Sequence, residues 1–184
     1  SQGPDRRIES GWAPFPVLGY VIGGAPNARI DQVLREDKGY TYGIRAGFRP
    51  RQVGSAFVVS GSVRADSTVD AVRLLLGILE DAREGFSQDE AREGRDYVAR
   101  TAPARYATAD AVADEVADLL LTELPLDFPT RTVTEVTELT PEALDAAWRE
   151  WITGEWTLVV VGDAASIVDG LRELGRGEVT VVPA

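Results

Sequence analysis

Histidine and cysteine are both absent from this sequence, and lysine occurs only once, at Lys38. Without imidazole there is no Ser-His-Asp triad, no His-x-x-Glu-His zinc helix and no histidine acid–base catalyst, which removes the commonest hydrolase mechanisms. Without thiols there are no disulfides, thiolate metal sites or cysteine nucleophiles. The residue three places before Lys38 is Arg35, so a local serine–lysine nucleophile pair has no support either.

Long apolar runs are also missing. Leu119–Leu121 and Leu158–Val161 fall far short of the roughly 20 residues that span a bilayer. A basic excess is lacking too: 30 acidic residues against 19 basic ones give a net charge of −11. That average field repels phosphate backbones and anionic headgroups, so neither nucleic acid nor a membrane surface is expected as a partner. Ser1 to Arg7 carries no apolar stretch of the kind that marks a secretion signal, and the default compartment is the cytoplasm.

What remains is the balance of an ordinary globular protein: 184 residues, 44% hydrophobic and 27% charged, enough for one domain over residues 1–184. Residues 13–36 predict two short helical stretches, broken at Gly23-Gly24-Ala25-Pro26, with Asn27 capping the second and Gly39 ending it. Tyr40–Phe48 and Gly54–Val63 read as strands of an antiparallel hairpin. From Ser67 the spacing of Val69, Val72, Leu75, Leu76 and Leu79 is helical, with Ser67-x-x-Asp70 as a capping pattern and Gly85 as the stop.

Ser87-x-x-Glu90 opens another helix, which breaks at Thr101-Ala102-Pro103. Ala107–Leu121 predicts a third, with Val112, Val116, Leu119 and Leu120 facing a core. Pro125–Glu138 reads as turn-rich, and Thr140-Pro141-Glu142 starts a helix bearing Leu144, Ala147, Trp148 and Trp151. Trp156–Val161 reads as a buried strand, residues from Gly162 onward as a short helix with Ile167, Leu171 and Leu174, and Glu178–Val182 as a last strand. The pattern is α+β, with a single mixed or antiparallel sheet and helices packed on one face. No strand precedes the first helix, so truncation at the N-terminal edge of the domain is expected.

Three features invite a chemical reading. Acidic clusters such as Glu80-Asp81-Glu84 and Asp114-Glu115-Asp118 lack calcium-loop spacing and suit solvated helix faces. The turns Gly23-Gly24-Ala25-Pro26 and Gly162-Asp163-Ala164-Ala165 lack phosphate-loop spacing and suit caps. The third is Val33–Ile44, where Arg35 near a helix end and Tyr42 on the following strand flank a glycine turn. Both side chains are hydrogen-bond donors that could hold a peptide carbonyl or an oxyanion if they converge. Spacing alone favours a plainer reading, a surface ion pair at Arg35 and a half-buried tyrosine.

Gly23-Gly24 followed by Asn27-Ala28-Arg29-Ile30-Asp31-Gln32-Val33-Leu34-Arg35-Glu36-Asp37-Lys38-Gly39-Tyr40-Thr41-Tyr42-Gly43 resembles the insulinase/pitrilysin zinc metallopeptidases, the family that includes mitochondrial processing peptidase. Phe57–Val63, Glu84–Glu90, Val136–Glu142 and Val159–Asp163 agree with it in order. The resemblance implies a processing-peptidase-like metallohydrolase fold and, since histidine is absent, the zinc-free half of a pair of homologous domains. On that basis the chain is not an enzyme alone. It needs no cofactor of its own, and zinc belongs to a partner domain with His-x-x-Glu-His, in the same polypeptide or a separate subunit. Arg35 and Tyr42 match the family's substrate-binding arginine and tyrosine, and the substrate is a peptide. The alternative is a structural or interaction subunit of the same fold that has lost proteolysis. Ala28, Ile30 and Asp31 depart from the usual pattern, and these changes are expected to alter packing or caps and to leave the Arg/Tyr pair alone.

Overall fold

The structure is a computed structural model describing residues 1–183. Helix α1 (Pro14–Gly19) runs on through a π-type turn at Tyr20–Gly24, and α2 (Arg29–Asp31) continues as a π-type turn over Gln32–Asp37. Strands β1 (Ile44–Arg49) and β2 (Ala56–Gly61) form an antiparallel hairpin. Six further helices follow: α3 (Thr68–Asp81), α4 (Gln88–Thr101), α5 (Ala109–Leu121), α6 (Phe128–Glu138), α7 (Pro141–Trp151) and α8 (Ala164–Glu173). The class is α+β.

The register pairs Phe48 with Phe57 and Ala46 with Val59 on one face of the hairpin, and Arg45 with Ser60 and Arg49 with Ala56 on the other. Strand side chains alternate faces, so the aromatic face turns to the core and the arginine face to solvent. Phe15 of α1 stacks edge-on against Phe48 at 4.9 Å, and Trp148 of α7 meets Phe57 at 5.3 Å. The π-type turn after α1 comes close to β1 at Gly23, where an added Cβ would lie 2.7 Å from that of Ala46. Only glycine fits there, and its non-helical φ of −163° kinks the chain between α1 and α2.

Several local expectations hold. Ser87 and Glu90 close both halves of a capping box, the Thr140 hydroxyl accepts from the Ala143 amide, and the Asp163 carboxylate accepts from the Ala165 amide. Other expectations change. Ala28 rather than Asn27 stands at the α2 N-cap, and Asn27 instead reaches Glu93 at 3.4 Å. At α3 the Ser67 hydroxyl donates to Asp66, while Asp70 accepts from the Tyr40 hydroxyl, so that capping box does not close.

Helix α6 replaces the turn-rich passage. Six of its eleven residues are Thr or Val, which lowers helix propensity, but Phe128, Thr132 and Val136 share a stripe that packs on α4 and buries Val136. On α5 only Leu119 is buried, whereas Val112, Val116 and Leu120 face outward. The two late strands do not form. Residues 156–161 and 178–182 join no ladder, and Val159 and Val161 are almost fully exposed. A strand needs a neighbour to pair its backbone, and among the described residues the sheet consists of β1 and β2, met at its edge by an isolated bridge from Gln2 to Ala56.

Candidate functional site

The segment after α2 is fixed from both sides. Ile30 and Leu34 are fully buried and anchor one face of the helix. Its end is closed by the Lys38 amide on Val33, the Gly39 amide on Arg35 and the Tyr40 amide on Leu34, at 2.9 to 3.1 Å. Gly39 takes the left-handed φ of +62° that such an ending requires. Tyr40 then donates its hydroxyl to Asp70 at 3.1 Å, and that bond, with burial second, raises the Tyr40 pKa above the usual phenol value.

Thr41 is buried. Its hydroxyl donates to the Ser62 carbonyl at 2.6 Å and accepts the Gly43 amide at 3.0 Å. The Ile44 amide donates to Oδ1 of Asp31 at 3.1 Å. Tyr42 therefore rides on a backbone pinned at Thr41, Gly43 and Ile44, while its own side chain is wholly exposed. It lies in the connection just before β1, not within a strand as the sequence suggests, because ladder pairing begins at Ile44.

Arg35 sits one helical turn after Asp31. Its Nη1 lies 4.0 Å from Asp31 Oδ2 and its Nε 3.5 Å from Glu36 Oε1, with 41% of the side chain exposed. The plain ion pair is thus present, on an arginine that keeps solvent access. Arg35 contacts the Asp31 carboxylate that also accepts the Ile44 amide, two residues beyond Tyr42, and no hydrogen bond joins the Arg35 and Tyr42 side chains among the described residues.

Asp31 is the residue that sequence reasoning undervalued. Its carboxylate is fully buried and meets both Arg35 and, at 3.3 Å, Nη1 of Arg45. Asp31 thus touches one member of the Arg/Tyr pair, a contact that the expectation of changed packing or caps did not include. The available signal was the spacing of Asp31 and Arg35, four residues apart on one helix.

The residues present do not fit a zinc ion. Histidine and cysteine are missing from the sequence, and among the described residues no three or more His, Cys, Asp or Glu side chains gather as a metal site would need. Nor, among the described residues, is any helix long and apolar enough to cross a membrane. The chemistry this surface offers is hydrogen-bond donation from a guanidinium and a phenol held on a rigid base.

The sequence model of one family, the peptidase M16 inactive domain, matches residues 2–97. The solved peptidase M16 inactive domain from Pseudomonas fluorescens is similar with a TM-score of 0.74 at 22% identity, over 82% of this chain and 35% of that one. A candidate zinc protease from Bordetella pertussis Tohama I gives 0.67 at 14% identity, covering 82% of this chain and 83% of its own. A protease from Helicobacter pylori gives 0.68 at 15% identity, over 82% of this chain and 36% of its own. This chain therefore spans about a third of the Pseudomonas and Helicobacter chains. No curated protein sequence matches it.

Proposed function

The chain belongs to the peptidase M16 inactive-domain family, and from that premise we propose that residues 1–184 act as the substrate-holding half of a zinc metallopeptidase. In this reading Arg35 and Tyr42 bind the backbone of a peptide substrate. A homologous partner domain bearing His-x-x-Glu-His, in the same polypeptide or a separate subunit, supplies the metal. The chain does not cleave peptides by itself.

The observation that carries the reading is the contrast at the end of α2: a backbone clamped by Thr41 and Asp31 bears a fully exposed tyrosine, beside an arginine that keeps much of its surface open. A backbone held in place before a ligand arrives loses little freedom on binding it, which suits recognition of a flexible peptide.

The test is cleavage of a fluorogenic peptide by the chain with zinc, then again with the histidine-bearing partner added. Activity only in the mixture supports the reading. Activity of the chain alone would overturn it, and a mixture with no more activity than the partner by itself would favour the structural-subunit alternative.

A further inference from the structure

We propose that Asp31 is a positioning residue for the peptide-binding pair, directing the Arg35 guanidinium and fixing the backbone that carries Tyr42. This inference rests on the reading of Arg35 and Tyr42 given above. Its basis is one carboxylate that serves both halves of the pair. Oδ1 accepts the Ile44 amide at 3.1 Å, which locks the chain two residues beyond Tyr42. Oδ2 faces two guanidiniums, with Arg45 Nη1 at 3.3 Å and Arg35 Nη1 at 4.0 Å.

A carboxylate removed from water is costly unless its oxygens are matched by donors and opposite charge. The Ile44 amide and Arg45 already provide one partner for each oxygen. The second guanidinium therefore exceeds what burial of Asp31 demands; Arg35 is matched on its other side by Glu36, 3.5 Å from its Nε, and keeps 41% of its side chain exposed.

The geometry at Arg35 is also directional. Asp31 draws on Nη1 and Glu36 on Nε, so the Nη2 end of the fork is left to point elsewhere. A guanidinium has five donors in a rigid plane, and carboxylates drawing on two of its edges bias the direction in which the third faces. The helix spacing of four residues places the carboxylate under the arginine, and the turn at Gly39 brings the Tyr42 backbone back past the same carboxylate. Asparagine at position 31 would keep an acceptor for the Ile44 amide but would remove the charge that orients Arg35.

The experiment is a double-mutant cycle on this chain, with a fluorescein-labelled unstructured peptide of Ala, Ser, Leu and Lys read by fluorescence anisotropy. Arg35→Ala and Tyr42→Phe are expected to weaken binding. Asp31→Asn is expected to weaken it about tenfold with the thermal midpoint kept, and to add less than about twofold in the Arg35→Ala background. Binding unchanged in Asp31→Asn, or weakened by the same factor with and without Arg35, overturns the positioning role while leaving the peptide-binding reading intact. A wild-type chain that binds no peptide, or Arg35→Ala and Tyr42→Phe variants that bind as wild type, overturns both. If Asp31→Asn does not fold, NMR of the unmutated chain decides: an ordered Arg35 side chain with a slowly exchanging Nε–H supports the role, and a freely averaging guanidinium overturns it.

Discussion

Arg29 grips Glu90 with two nitrogens, Nε at 2.6 Å from Oε1 and Nη2 at 2.9 Å from Oε2. The same Nη2 donates to the Gly85 carbonyl at 2.8 Å, and the guanidinium lies 4.7 Å from the centre of the Phe86 ring. Since Glu90 also completes the capping box of α4, one ion pair joins the start of α2 to the start of α4.

The pH response follows from that pair. Burial pushes the Glu90 pKa up, but hydrogen bonds from Arg29 and Ser87, together with the arginine charge, outweigh it and leave the carboxyl below its usual value. A group lowered on folding stabilises above its unfolded pKa, about 4.3 for glutamate, and that contribution disappears as pH falls through the depressed folded value. Glu90→Gln should therefore cost about 1 kcal/mol at pH 7, with the two proteins converging in acid. Urea melts at a series of pH values check this, and a gap that widens in acid would contradict it.

Arg35 and Tyr42 should matter to binding and little to stability. With the histidine-bearing partner present, Arg35→Ala and Tyr42→Phe are each expected to lower kcat/KM about 10- to 100-fold. Both sites are exposed, so stability should stay within about 0.5 kcal/mol. Steady-state kinetics paired with thermal melts separate the two effects.

At Gly39 the conformation rather than the space is limiting. No atom lies within 4 Å of an added Cβ, yet φ is +62°. Gly39→Ala should cost about 1 kcal/mol, and Gly39→Asn less, because asparagine tolerates the left-handed region. Denaturant midpoints at constant slope give the comparison.

Two neighbours on α5 should part company. Leu119 is 2% exposed and Leu120 65%. Leu119→Ala should cost about 2 to 4 kcal/mol, and Leu120→Ala less than about 0.5. Equal losses would mean that α5 is buried on a different face.

The sequence was most informative where local chemistry decides structure. The Ser87–Glu90 box, the Thr140 cap, the left-handed Gly39 and the hairpin all depend on near neighbours and were readable. Helix α6 was hidden because packing on α4 overrides its β-branched composition. Trp156–Val161 reads as a strand from its nearly all-apolar run, but a strand also depends on what lies alongside it, which the segment itself does not encode. At the site, Arg35 and Tyr42 stood out as donors and through the family resemblance. Asp31 did not, because its burial and its contacts with Arg45 and the Ile44 amide arise only when the chain returns past Gly39, and its four-residue spacing from Arg35 was the one local sign.

The aromatic core also gives the protein its own optical gauge. Trp148 is sealed against Phe57 and Phe86, and Trp12 is buried beside Phe15. Trp151 and Trp156 are partly buried, and the indole nitrogens of Trp148, Trp151 and Trp156 are buried without a hydrogen-bond partner among the described residues. Indoles in such surroundings emit at short wavelength, and the emission moves to the red when water reaches them. None of the four tryptophans adjoins Arg35, Tyr42 or Asp31 in sequence. Unlabelled chain can therefore report the integrity of its interior by emission colour, so in tests of the proposed peptide binding a variant that does not bind can be told from one that does not fold in the same cuvette.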